Sequence, residues 1–303
     1  MTTIRAAICR AFGAPLSIEE VTIRAPVGRE VEVTLDATAI CHSDISYADG
    51  IWGGDLPAVH GHEAAGRISA LGPGVTGLAL GQTVIATLIR ACGHCPCCAS
   101  GRPSICSDPH RAQPVLADCN GTPLSQPLQI GAFAERVIVD QTQVASVPER
   151  LRADAAALLA CGVITGVGAV VNAAGLRAGE DVVVIGAGGV GLNAIQGARI
   201  AGARRIVAVD MTEDKLAAAR DFGATDGVLA TKPEPWNEAR RATGRGADAV
   251  FVTVGAPPAY SSAPNYLAAG GRMVMVGMPP VGAMSEYEPV TLASLGQGMI
   301  GSK

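Results

Sequence analysis

"DVVVIGAGGVGLNAIQGARIAGA", residues 181–203, begins as an apolar run, turns through glycines and ends in a helical pattern. Gly186, Gly188 and Gly191 form G-x-G-x-x-G. Alone that motif is weak; between the strand Val182–Ile185 and a helix it has physical meaning. The first glycine permits the tight turn, the second lets backbone approach a pyrophosphate, and the third lets helix and strand pack closely. The helix N-terminus then offers unpaired N–H groups to phosphate. "RRIVAVD" follows as a second strand, with a helix expected from about Glu213 to Phe222; "ADAVFVTVG" and "GGRMVMVG" are further apolar runs ending in glycine. Strands buried on both faces and alternating with helices predict a doubly wound parallel sheet, a Rossmann domain at residues 153–290.

Asp210 ends the second strand, nineteen residues past Gly191. An acid there accepts hydrogen bonds from the adenosine ribose and repels the extra phosphate of NADP, and no Arg follows it. NAD is the expected cofactor.

Upstream of about Arg150 the pattern changes. "EVEVTLDA" (residues 30–37) alternates polar and apolar as a half-buried strand does, and "GRISALGPGVTGL" and "GAFAERVIVD" continue in that way. Residues 1–152 are read as a β-rich, partly closed domain, with Ser107–Ile130 as a proline-containing loop. The 303 residues suit two domains. A net charge of -4, with no run of Lys and Arg, argues against the basic face that nucleic acid requires. The most membrane-like stretch, Val182–Ala203, is broken by glycines and carries Asn193, Gln196 and Arg199, so no membrane span is expected. The N-terminus lacks a signal-peptide pattern, which points to the cytoplasm, where clustered cysteines bind metal more often than they pair.

Such a cluster lies at residues 91–106, "ACGHCPCCASGRPSIC". Cys92, Cys95, Cys98 and Cys106 have the spacing C-x2-C-x2-C-x7-C, which can wrap a tetrahedral zinc in a closed shell. The first three also fit the start of a ferredoxin run, but its C-x3-C-P continuation is missing. Cys97 and His94 are spare donors in the loop, so the ligand choice stays open here. A second, scattered set comprises Cys41 in "CHSD", His62 in "GHE" and Cys161 in "ACGVITG". Each alone reads as an ordinary buried residue. Together they could hold a catalytic zinc with an open fourth position, if the fold gathers them.

With "CHSD", "GHE" twenty-one residues later, the four-cysteine lobe, "CGVITG", "GAGGVG" and Asp210 in that order, the chain resembles the zinc-dependent medium-chain alcohol dehydrogenases. The resemblance runs through the whole chain and implies a GroES-like catalytic domain ahead of the Rossmann domain. It implies a structural zinc in the lobe and a catalytic zinc on Cys41, His62 and Cys161, two zinc ions per chain. Asp44 is then the partner that orients His62, Glu63 lies beside the metal, and Ser43 accepts the alcohol proton. Lys215 joins Asp210 at the ribose; His42, Gly189, Val190 and Val254 complete the cofactor contacts. Trp52 and Leu88 stand at substrate-pocket positions. The activity implied is NAD-dependent oxidation of a primary or aromatic alcohol, or reduction of the aldehyde, with zinc as Lewis acid on the alkoxide. A thiol-adduct-dependent formaldehyde dehydrogenase shares nearly the same motifs, and an inactive zinc- and NAD-binding chain is the rival outside the enzyme class.

Three departures from the family pattern stand out. Ser46 occupies the place where many members carry a relay His, and His42 the place where some use Arg. Family chains also continue past "GQGMIGSK", so residues 291–303 are expected to be the start of a truncated C-terminal return, with Gly301–Lys303 in the edge strand that pairs subunits into a dimer or tetramer.

Overall fold

The structure is a computed structural model describing residues 1–108 and 114–302. The chain divides into two compact units, residues 1–161 and 162–303.

The first unit is built on strands β1 (Thr2–Cys9), β2 (Ser17–Ile23) and β3 (Glu30–Ala39), helix α1 (His42–Ala48), then β4 (Ala58–Val59), β5 (Glu63–Leu71) and β6 (Thr83–Thr87). The short helix α2 (Pro96–Ala99) follows, then β7 (Leu116–Ala117), β8 (Arg136–Asp140), β9 (Val144–Ser146) and helix α3 (Ala153–Leu158). Two sheets result, β4-β1-β2-β7 and β8-β3-β5-β6-β9, and every strand pair in them is antiparallel. The alternation in β3 places Val31 and Val33 in a core with Ala64, Ile68, Val84 and Val137. The expected loop Ser107–Ile130 contains the two-residue strand β7 and a 3-10 turn at Pro127–Gln129; residues 109–113 of it lie outside the described residues. β7 is too short to produce a periodic signal; it pairs with the distant β2, and Leu116 O also accepts from Leu124 N–H.

The second unit comprises α4 (Ile164–Gly168), β10 (Asp181–Ile185), α5 (Gly189–Ile200), β11 (Arg205–Asp210), α6 (Glu213–Phe222), β12 (Asp226–Leu229) and α7 (Pro235–Thr243), followed by β13 (Ala247–Val252), α8 (Pro257–Ser262), β14 (Leu267–Met275), α9 (Pro289–Ser294) and β15 (Gly298–Gly301). The strands form one parallel sheet in the order β12-β11-β10-β13-β14-β15, the doubly wound arrangement of a dinucleotide-binding domain. The apolar run of β10 is explained by its two buried faces: Val182 and Val184 join one core cluster, Val183 and Ile185 the other. Glu213 and Asp214 open α6 against its helix dipole, and left-handed Gly223 ends it. At the sheet's far edge β15 pairs with β14, and Ser302 N–H continues the pairing to Met275 O; Lys303 lies outside the described residues.

One helical stretch, Ala153–Ala173, is long and apolar enough to cross a membrane. Its first segment, α3, packs instead on β3 and β5, with Ala156 and Ala157 in the core.

Candidate active site

Cys41 caps α1, and Asp44 sits one turn into that helix with its side chain turned back. Three donors converge on the Asp44 carboxylate: Cys41 N–H at 2.9 Å, Gly61 N–H at 3.0 Å and His62 Nδ1 at 2.9 Å. A carboxylate only accepts, so Nδ1 carries a proton toward it and Nε2 is the nitrogen left to face a ligand. That Nε2 is buried and has no hydrogen-bond partner among the described residues. His62 belongs to a group with Cys41, Glu63 and Cys161 whose donor atoms all lie within 4.8 Å of one another. Cys161 reaches the group from a π-helical turn, Leu159–Val163, that follows α3; Glu63 opens β5.

An orphaned imidazole nitrogen, two thiols and a carboxylate form a donor set that suits zinc. In the absence of a cation these groups polarise one another. Cys41 is held down to about 3, foremost by its hydrogen bond with Cys161 and against the cost of burial. Burial opposes charge on His62, yet the Asp44 hydrogen bond and the adjacent Cys41 sulfur together push it up to about 10. A metal there satisfies the same charges and must displace the imidazole proton, so its binding weakens as pH falls.

Ser43 Oγ lies 3.7 Å from Cys41 Sγ, which places a hydroxyl beside the donor group. Ser46 is buried under α1, whereas His42 is exposed at its start. Trp52 is half-buried and meets Tyr47 edge to face, with ring centroids 5.2 Å apart; Tyr47 in turn stacks on His60. His60 was not singled out by its sequence context. It is fully buried, burial disfavours its charged form although Asp44 pulls the other way, and neither ring nitrogen has a hydrogen-bond partner among the described residues. Leu88 is half-buried just past the end of β6.

In the lobe, Cys92, Cys95, Cys98 and Cys106 form a second group with donor atoms within 4.8 Å of one another. Cys92 and Cys98 sulfurs are 4.0 Å apart and Cys95 and Cys106 sulfurs 3.8 Å apart. Those separations exclude disulfides and fit the edges of a tetrahedron with Zn–S bonds of about 2.3 Å. Backbone N–H groups of Cys95, Cys98 and Cys92 point at the sulfurs of Cys92, Cys95 and Cys106. The Cys98 N–H, with help from Ser107, pushes the Cys95 thiol down to about 5. Of the spare donors, Cys97 stays outside the group. His94 groups with Cys92 and Asp108, but its exposed ring is spent on the Cys92 carbonyl and Asp108.

In the second unit the glycine turn is crowded at its first and third glycines and open at its second. Gly186 has φ +97° and Gly191 lies so close to it that an added Cβ would stand 1.8 Å from Gly186 O. A Cβ on Gly188 would meet nothing within 4 Å, which leaves the open space a pyrophosphate needs. Val254 crowds Gly186 from the end of β13. Thr253, which the sequence pattern did not single out, donates from Oγ1 to Ile185 O (3.0 Å) and Gly186 O (2.9 Å) and so fixes the turn. Asp210 accepts from Ala187 N–H (2.6 Å) and Met211 N–H (2.7 Å), and Lys215 Nζ lies 3.7 Å away. Gly189 and Val190 open α5.

Two family models match the chain: the alcohol dehydrogenase GroES-like domain over residues 28–149 and the zinc-binding dehydrogenase domain over residues 189–301. "Putative alcohol dehydrogenase D" of Mycobacterium tuberculosis H37Rv is 35% identical over 285 residues, 90% of this chain and 77% of that protein. The crystal structure of benzyl alcohol dehydrogenase from Acinetobacter calcoaceticus superposes with a TM-score of 0.93 at 30% identity, covering 99% of this chain and 84% of that one. A "putative zinc-binding dehydrogenase" from Sinorhizobium meliloti 1021, solved bound to NADP, gives a TM-score of 0.83 at 26% identity, covering 100% and 84%.

Proposed function

The chain belongs to the zinc-dependent medium-chain alcohol dehydrogenase family, and from that premise we propose that this oxidoreductase moves a hydride between a primary or aromatic alcohol, or its aldehyde, and NAD. The observation that carries the reading is the group of Cys41, His62, Glu63 and Cys161, with the imidazole fixed by Asp44 and its free nitrogen buried among thiols.

Bound by Cys41, His62 and Cys161, a zinc ion supplies a Lewis acid that lowers the pKa of an alcohol, and NAD supplies the hydride acceptor. The remaining work belongs to the chain. Asp44 holds the His62 tautomer. Ser43, beside Cys41, accepts the proton of the alcohol. With Ser46 buried and unable to relay like an imidazole, that proton leaves through water. Glu63 stands as a fourth donor that competes for the open position and aids ligand exchange. The four lobe thiols would hold a second zinc, which would fix the loop without entering the chemistry. Gly186, Gly188, Gly189, Val190, Gly191 and Val254 cradle the NAD pyrophosphate; Asp210 and Lys215 take the ribose, and His42 contacts the phosphates. Trp52 and Leu88 wall the substrate pocket, and benzyl alcohol is the first substrate to try, given the benzyl alcohol dehydrogenase among the similar structures.

The test is alcohol-dependent reduction of NAD and of NADP, followed by absorbance, on protein with two, one and no zinc ions. Turnover that requires the second zinc and prefers NAD, with Asp210→Asn narrowing the preference about tenfold, supports the reading. Turnover of a zinc-free protein, or none with any alcohol at full zinc loading, overturns it.

A further inference from the structure

The three sequence-distant donors are carried by separate elements, and a fixed cluster needs those elements tied together. Thr87, the last residue of β6, makes such a tie. In the β5–β6 pairing Thr87 stands directly opposite Glu63, the residue that follows His62. Its hydroxyl donates to Ala160 O at 2.7 Å, the carbonyl immediately before Cys161. That carbonyl belongs to the π turn Leu159–Val163, where the usual helical ladder is loosened and a side chain can enter it. Thr87 is itself pinned from behind. Gln143, buried in the fold, donates from Nε2 to Thr87 O at 3.1 Å, and Gln143 is held in turn by Asp140 N–H at 3.1 Å. The Ile89 N–H reaches back to the Thr87 hydroxyl at 3.4 Å.

We propose that Thr87 is a positioning residue for the assembled metal centre: its hydroxyl braces the Cys161-bearing turn against β6, the strand paired with the one that Glu63 opens directly after His62. The inference rests on the zinc reading given above. Outer partners of metal ligands set ligand orientation, and losing one costs about 10–100-fold in metal affinity. A hydrogen bond to the backbone one residue from a thiolate acts by the same route, through the angle at which sulfur is presented.

Zinc retention in purified holoprotein under graded chelator separates the outcomes. Thr87→Val, nearly isosteric but without the hydroxyl, is expected to release one of two zinc ions at about tenfold lower chelator concentration than the parent. Thr87→Ser, which keeps the donor, should stay within about twofold, and the lobe zinc should be unmoved in both. Cobalt refilled into the vacated site should show a shifted thiolate charge-transfer band in Thr87→Val and the parental band in Thr87→Ser. If Thr87→Val does not fold, Thr87→Ala carries the same expectation. A Val or Ala variant that holds both metals as the parent does, or loses both together, overturns the brace, as does failure of Ser to rescue. A parent with only one zinc would sink the proposed function as well, whereas a two-zinc parent with an indifferent Thr87→Val sinks the brace alone.

Discussion

The two donor clusters differ in how they are made. In the lobe, four thiols lie within fifteen residues, and the backbone N–H groups of the same loop fix their sulfurs. In the assembled centre, Cys41, His62 and Cys161 span 120 residues of sequence, and a carboxylate, a strand pairing and a π turn bring them to within 4.8 Å. The lobe's four grouped thiols face one another. The assembled centre has a carboxylate among its donors and a hydroxyl beside them, and on the function proposed above a substrate competes there. On that reading the dense ligands make a structural staple and the dispersed ones leave room for chemistry.

The largest effect should come from exchanging the two roles. His62→Ala or Cys161→Ala should remove one zinc and lower alcohol turnover on the order of a thousandfold, the scale of losing Lewis-acid stabilisation. Cys98→Ser should remove the other zinc and lower the melting temperature, while turnover of the molecules still folded stays within about threefold. Zinc counts, thermal melts and rates on the same samples check this. Lost turnover in folded Cys98→Ser would erase the distinction between the clusters.

Next in size is Asp44→Asn. An amide in that place cannot serve three donors as a carboxylate does, so the assembled centre should lose about 10–100-fold in zinc affinity with the lobe unaffected. Trp52→Ala tests whether the room beside the assembled centre is selective. It should cost about tenfold in kcat/KM for benzyl alcohol and less for ethanol; an unaltered substrate ranking would return Trp52 to a packing role against Tyr47. The smallest effect belongs to Cys97→Ser. With Cys97 outside the thiol group, both zinc ions should be retained, and loss of either would redraw the lobe's ligand set.

Most of the second unit could be read from sequence, because its signals are local. The apolar run of β10, the acids that open α6 and the glycine that ends it all act within a few residues. The lobe could be read for the same reason. Cys41, His62 and Cys161 were recognisable as candidates, yet nothing in their spacing could bring them together; only the family resemblance did so in advance. What escaped notice was set by distant partners. Thr87 is an unremarked strand end until Ala160 arrives beside it. Thr253 matters through the carbonyls of Ile185 and Gly186, nearly seventy residues earlier, and the Tyr47–His60–Trp52 ring contacts are made by tertiary packing.

The dispersal of the donors also sets a timetable. Contacts between residues far apart in sequence form late, after long loops have closed, whereas a fifteen-residue loop can close early. During synthesis the lobe can take up zinc as soon as Cys106 has emerged. The assembled centre must wait for Cys161 and for the π turn to settle on β6. If both sites take zinc as proposed, metal scarcity during biosynthesis falls on them unequally: a chain would be stapled and folded yet still await the ion on which the proposed chemistry depends.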